Sequence, residues 1–178
     1  MPIYEFEGKR PAIGARSFVH PEAVMIGDVV IGEGCYIAAG AVLRGDWCRI
    51  RVGNRCNIQD NCVIHAAPDR EAVLGDNCHI GHGAIVHEAL LGNHVLVGMG
   101  AVVQDGARVG DDAIVGAGCV ILVGKEIPPR KVVVGVPGEV VGDVSEERAK
   151  ASWAGTQLYQ ALPSRYQKAF REIKPDEL

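Results

Sequence analysis

Aromatic side chains are scarce in this chain, at 5% of 178 residues, so aliphatic burial must supply most of the core. Basic blocks are missing as well. The net charge is −4, and without a Lys/Arg cluster nothing points to nucleic acid or an anionic membrane. No apolar stretch approaches the roughly 18 residues of a membrane span. The N-terminal Met-Pro-Ile-Tyr-Glu-Phe-Glu has no basic run leading into an apolar core, so no signal peptide is expected and the cytoplasm is the expected location. None of the six cysteines falls in a Cys-x-x-Cys pair. What is abundant is glycine, with 23 residues, and hydrophobic residues reach 48% against 22% charged. That balance suits one soluble globular domain with a small appendage.

The abundance is periodic. Aliphatic residues recur every six positions: Ile31, Ile37, Leu43; Val52, Ile58, Ile64; Leu74, Ile80, Val86; Val97, Val103, Val109, Val115, Ile121. A small residue often follows, and another stands four positions on, as Cys35, Ala41, Cys56, Cys62, Cys78, Ala84 and Cys119 do. This pattern resembles the hexapeptide repeat of left-handed parallel β-helices. The resemblance implies a mainly β fold: a single-stranded left-handed parallel β-helix, three hexapeptides to a triangular coil. Parallel crossovers are normally right-handed, so the hand comes from the resemblance alone. Stacked coils close the core that one coil cannot. Five cysteines sit at the small position and read as buried apolar residues; Cys48 falls outside the register and is expected to be accessible.

Three breaks interrupt the period. Leu43 to Val52 carries three extra residues around Trp47 to Arg51, and Ile64 to Leu74 carries four around Ala66 to Val73, with Pro68-Asp69 as a turn. Val86 to Leu91 is one short. Val134-Gly-Val-Pro-Gly138 reads as the exit from the β-helix, giving a domain over 1–140 and a helical segment over 141–178. Ser145 is the expected N-cap, Ala149, Trp153 and Leu158 the apolar stripe, and Pro163-Ser164 the break before a second helix reaching about Ile173. Residues 175–178 are expected to be loose.

Coil arithmetic places the chemistry. His65 and His87 each follow an inward aliphatic, and their separation of 22 is one coil of 18 plus the inserted four. They stack on one face about one strand spacing, ~5 Å, apart. His82 lies one position further along its repeat, on the preceding side of the triangle. A homotrimer with its axis parallel to the coils would bring it to the His65 and His87 of a neighbour. Three imidazoles with an open fourth position is the arrangement of catalytic zinc. Arg44 stacks beneath His65 and Asp60 beneath His82, so an Arg44–Asp60 pair is expected across the same interface. His20, His79 and His94 lack this register and are expected at the surface.

Leu-Arg-Gly-Asp (43–46), Asn-Ile-Gln-Asp (57–60), His65 and Gly-His-Gly-Ala-Ile-Val-His (81–87) resemble the γ-class carbonic anhydrase family. That family is a trimer of left-handed β-helices with zinc, or sometimes iron or cobalt, at each interface. The resemblance implies His65, His82 and His87 as metal ligands and Gln59 as the residue that orients metal-bound hydroxide. It makes Arg44 and Asp60 the intersubunit pair, sets Arg44 against bicarbonate, and adds Asp46 of the same motif to the candidate catalytic set. The opening Tyr-Glu-Phe-Glu-Gly and the tail Thr156-Gln-Leu-Tyr-Gln-Ala-Leu162 look closer to the branch found in phenylacetate-degradation and carnitine operons, which has been linked to CoA-thioester hydrolysis. Three features depart from the founding type: Trp47 follows Arg-Gly-Asp where an acidic residue is usual, the loop after His65 is short, and the Asn near a late Tyr has no clear match, with Gln157 and Tyr159 roughly in its place. The proton-shuttle carboxylate is therefore unassigned.

The expected activity is reversible hydration of carbon dioxide by a zinc-dependent enzyme. The alternatives are hydrolysis of an acyl-CoA thioester, with Trp47 and Tyr159 lining a pantetheine groove; acyl transfer with a loop histidine as base; and a metal-binding scaffold without turnover.

Overall fold

A computed structural model describes residues 2–174 and residue 177. The six-residue period becomes a left-handed β-helix of about seven coils, each contributing a short parallel strand to each of three faces. The first face stacks Val63–His65, Ile85–His87, Val102–Val103 and Val120–Ile121 in that order. The second stacks Glu71–Leu74, Leu90–Leu91, Arg108–Val109 and Glu126–Ile127. The third runs from Phe18–Val19 through Tyr36–Ile37, Asn57–Ile58, His79–Ile80, Leu96–Val97 and Ile114–Val115 to Lys131–Val134. Two longer strands, Val24–Ile31 and Val42–Val52, round a corner and serve both the first and the second face.

Each inward aliphatic of the repeat is buried, from Ile31 and Ile37 to Ile121, and together they form one continuous core. Burying side chains of this size contributes about 1.5–3 kcal/mol each. The residue after the aliphatic must be small because the corner is tight. A Cβ on Gly53 would lie 2.6 Å from the backbone of Gly75, and one on Gly75 2.7 Å from that of Gly92. The same corner carries a polar ladder. Asn54 N–H donates to Asp76 Oδ1 at 2.7 Å, Asp76 N–H to Asn93 Oδ1 at 2.9 Å, and Asn93 N–H to Asp111 Oδ1 at 2.7 Å. Backbone donors at the corners thus stay paired from coil to coil. All six cysteines are buried. Five do fill the small position, and Cys56 and Cys78 point their thiols at carbonyls of the next coil. Cys48 departs from expectation. The inserted residues fold it inward, against the Arg44 carbonyl at 3.4 Å, and burial pushes its thiol pKa up.

The two insertions meet. Val42–Val52 passes through the first as unbroken strand, with the register slipping between Gly27 and Val29 of its neighbour. The second is a turn at Pro68 and Asp69, with Asp69 at φ 61°. Asp69 N–H donates to the Trp47 carbonyl at 3.0 Å, so the two loops form one ridge beside His65.

The top of the β-helix is closed by Glu139–Asp143, which pairs antiparallel with Lys131–Val134. The expected boundary at 140/141 falls inside this strand. Helix α1 (Glu146–Gln160) follows, capped as expected by the Ser145 side chain, which accepts from Arg148 N–H at 3.2 Å. Helix α2 (Leu162–Ala169) ends four residues before the expected Ile173, and the break falls at Ala161, with Pro163 already inside α2. Of residues 175–178, expected to be loose, only 177 is among the described residues.

The helices descend the third face toward its first coils. Leu158 was expected on the packed stripe but is 72% exposed, and the buried residue of α1 is Thr156. The packed side reads Ala149, Trp153, Thr156, Gln160, a helical spacing that the polar Thr156 and Gln160 disguise. The three histidines expected at the surface are seats for this segment instead. Trp153 meets His94 edge-on at 4.6 Å between ring centroids, Tyr159 meets His79 at 5.2 Å, and Phe170 meets His20 at 5.1 Å. Their register carried no metal signal because their partners come from the helices.

Candidate metal centre

The strands Val63–His65 and Ile85–His87 pair with His65 opposite His87. Their rings lie 5.2 Å apart, and His65 Nδ1 is 3.2 Å from His87 Nε2. The outer nitrogen of each ring faces a carboxylate. His87 Nδ1 donates to Asp105 Oδ1, one coil further on. His65 Nε2 is 3.4 Å from Asp46 Oδ1. Each carboxylate accepts, so each outer nitrogen carries the proton. The two inner nitrogens then present lone pairs to each other. A cation, an extra proton, or the other His65 tautomer, which would give up the long contact to Asp46, makes that contact favourable.

The surroundings disfavour an extra proton. Burial lowers the pKa of His65, and the nearby Arg44 cation lowers it further. Arg44 Nη1 donates to Asp46 Oδ2 at 2.7 Å. Burial tends to raise the Asp46 carboxyl, but Arg44, the Trp47 N–H and His65 outweigh it and hold it below the ordinary range. Trp47, half exposed on the ridge, lies 6.0 Å from the His65 ring and beneath the Arg44 guanidinium.

His82 stands at the corner between the third and first faces. Its Nδ1 donates to Asp60 Oδ2 at 2.7 Å, and Asp60 lies one coil below as the arithmetic required. Its Nε2 accepts from the Tyr159 hydroxyl of α1 at 3.3 Å. Tyr159 stays protonated as a donor, because burial and the Asp60 charge raise its pKa. Next to Asp60 is Gln59, buried at 2% exposure. A groove of about 460 Å³ starts from Gln59, His82 and Tyr159 and runs over Leu96, Val97 and Met99.

One chain therefore holds its candidate residues in two separate clusters, the two half-sites of the expected shared centre. Arg44, Asp46, Trp47, His65 and His87 stand together on the first face. Gln59, Asp60, His82 and Tyr159 stand together at the corner of the third. Among the described residues, no three His, Cys, Asp or Glu side chains of one chain gather closely enough to hold a metal ion. Within the chain Arg44 is paired with Asp46, and Asp60 with His82.

The donor set fits zinc. Zn–N bonds of about 2.0–2.1 Å put two ligands of a tetrahedron about 3.3 Å apart, close to the 3.2 Å between His65 and His87. A carboxylate behind each imidazole is the usual support for a metal-binding histidine. Two of the contributors were missed in the sequence. Asp105 lies 18 residues after His87, one coil, so the same count could have found it. His79 is the other; its Nε2 is 2.7 Å from Gln59 Nε2.

Comparisons with known proteins agree with this architecture. The bacterial transferase hexapeptide family (six repeats) matches residues 10–45 and 88–122. The unmatched stretch between them holds both insertions, His65, His82 and His87. The carnitine operon protein CaiE of Escherichia coli K12 is 41% identical over 175 residues, covering 98% of this chain and 89% of CaiE. A hexapeptide transferase family protein from Anaplasma phagocytophilum is 34% identical in its crystal structure, with a TM-score of 0.89 over 93% of this chain and 98% of that one. A Bacillus cereus protein provisionally named an acetyltransferase is 32% identical, with a TM-score of 0.91 over 93% and 96%. With its repeat, its fold and this similarity along nearly its whole length, the chain belongs to the hexapeptide-repeat family that includes the carnitine operon proteins CaiE.

Proposed function

We propose that this protein is a homotrimeric, zinc-dependent enzyme that hydrates carbon dioxide at sites shared between subunits. The observation that carries the reading is the convergence of His65 Nδ1 and His87 Nε2, each ring having a carboxylate at its other nitrogen. His82 of a neighbouring subunit supplies the third nitrogen, its Nε2, when the Tyr159 hydroxyl that it accepts from within the chain turns away. Outward aliphatics flank the histidines: Val63 and Ile85 are 37% and 38% exposed. They give the first face an apolar surface suited to burial against another copy.

Zinc, when bound, supplies Lewis acidity that brings the pKa of water from 15.7 toward about 7 and makes it a nucleophile. The chain's own residues do the rest. Gln59 accepts a hydrogen bond from the attacking water and orients it. Arg44, fixed by Asp46, offers its remaining N–H groups to the anionic product. Asp60 and Asp105 hold His82 and His87 in the tautomer that presents a lone pair. In the assembly Arg44 and Asp60 face each other across the interface, adding to their pairs within the chain. The test is a hydration assay on trimer loaded with one zinc per chain. Turnover above the buffer rate is expected, and none would end the reading.

The groove favours a second reading. Its apolar floor, with Met99 59% exposed, suits the alkyl part of an acyl-pantetheine, with Tyr159 lining it and Trp47 contributed by a neighbouring copy. The same centre would then hydrolyse acyl-CoA thioesters. Thiol release from a panel of acyl-CoAs, without carbon dioxide hydration, would select it.

A further inference from the structure

We infer that His79, held by Thr156 of α1, is a positioning residue that locks the Gln59 amide so that its oxygen alone is free to face the site. This rests on the proposed function only for what Gln59 does there; the lock itself follows from hydrogen-bond directions. An amide nitrogen donates and does not accept. Gln59 Nε2 has two protons and two neighbours, Asn57 Oδ1 at 2.9 Å and His79 Nε2 at 2.7 Å. His79 Nε2 must therefore be the bare nitrogen, and Nδ1 carries the ring proton. That proton points to Thr156 Oγ1 at 3.5 Å, a long contact. The Thr156 hydroxyl in turn donates to the Ser152 carbonyl at 3.0 Å. With the amide in this orientation, the directions in the chain from α1 to Gln59 follow one from the next.

Both Gln59 protons are used, and Oε1 has no partner among the described residues. Turning the Gln59 amide alone would set its oxygen against Asn57 Oδ1, whereas turning it together with Asn57, whose Nδ2 has no partner, would put the His79 proton on Nε2; the 15N shifts of His79 separate the two. The environment keeps the lock set. Burial holds His79 far below the usual histidine range, at about 4, and the nearby His82 and His94 push the same way. Thr156 is fully buried and Tyr159 packs edge-on against the ring, so the C-terminal helix controls the seat. Gln59 borders the same groove as His82 and Tyr159. Its free oxygen is an acceptor, as orienting an attacking water requires.

The experiment uses the full trimer labelled with 15N-glutamine and 15N-histidine, with Gln59→Glu to assign the amide signals. Both Gln59 side-chain protons should exchange at least about tenfold more slowly than those of the exposed Gln157, and the 15N shifts of His79 should report a proton on Nδ1. His79→Phe keeps a ring for Tyr159 but removes the acceptor, and the protection should collapse. His79→Gln restores an acceptor and should regain it. With zinc, kcat for carbon dioxide should fall about tenfold in His79→Phe, with KM within twofold, and recover in His79→Gln. Gln59 protons that exchange like those of Gln157 in the wild type, or a His79 proton on Nε2, would overturn the lock without any variant having to fold. An unchanged kcat in His79→Phe would overturn its positioning role. A wild type that is locked yet turns over no carbon dioxide would count against the functional reading, with the lock upheld.

Discussion

The histidines of this chain divide by what stands behind them. His65, His82 and His87 each have a carboxylate on one nitrogen, as does His94, whose ring is covered by Trp153; His79 has an amide and a hydroxyl. On the proposed reading the first set, His65, His82 and His87, gives lone pairs to a metal, while the second, His79, stays neutral inside the fold. Asp105 is the cleanest test of the first. Asp105→Ala leaves all three ligands in place, and zinc affinity should fall about 10–100-fold, by analogy with other supports of metal-binding histidines. Competition with a chromophoric chelator measures it, and an unchanged affinity would remove Asp105 from the site. The second set predicts a pH dependence. His79 has a folded pKa of about 4, below its ordinary 6.5. Between those values the unfolded chain binds a proton that the folded chain refuses, so stability falls as pH drops from 6.5 toward 4. The groups around the ring are Gln59 and Thr156, Tyr159 and, at longer range, His82 and His94. His65 shifts in the same direction, so the contribution of His79 is isolated by His79→Gln. That variant should show a shallower loss of urea midpoint between pH 7 and pH 5 than the wild type; an equal loss would assign the slope elsewhere.

At the scale of elements, coils and helices differ in how openly the sequence announces them. The coils were legible because each repeat restates the same demand: an inward aliphatic and a small corner residue, fixed by the 2.6–2.7 Å approaches above Gly53 and Gly75. Gly75→Ala should therefore lower the urea stability of the protein by about 1–3 kcal/mol through overpacking. The helices restate nothing. Their packed side is carried by Trp153, Thr156, Tyr159 and Gln160, which meet partners on coils about 60 to 105 residues earlier. A hydrophobic count therefore chose Leu158, which faces water. Trp153→Ala should cost about 2 kcal/mol or more by emptying its seat on His94, while Leu158→Ala should stay within about 0.5 kcal/mol. Thermal melts of the two variants separate these outcomes. The insertions fall between the two cases. Their lengths could be counted, which kept His65 and His87 in register, but the fold of Cys48 into the core and the Asp69–Trp47 bond could not.

At the scale of the whole molecule, a chain with two half-sites asks for a second copy. Much of this was legible: the stacked pair, the displaced His82, and Asp60 one coil beneath it. His79 was not, because its role depends on a helix whose docking the repeat does not encode. The central claim is that the halves meet between subunits, and mixed trimers test it most directly. His65→Ala lacks one half-site and His82→Ala the other. In a cyclic trimer containing both variants, one of the three interfaces joins the intact His65 and His87 of one chain to the intact His82 of its neighbour. Metal content is measured on each homotrimer and on mixed trimers separated by distinct tags after co-expression. The account predicts no bound zinc in either homotrimer and one zinc ion in each mixed trimer. Full zinc occupancy in the His82→Ala homotrimer, or none in the mixed trimers, would contradict it.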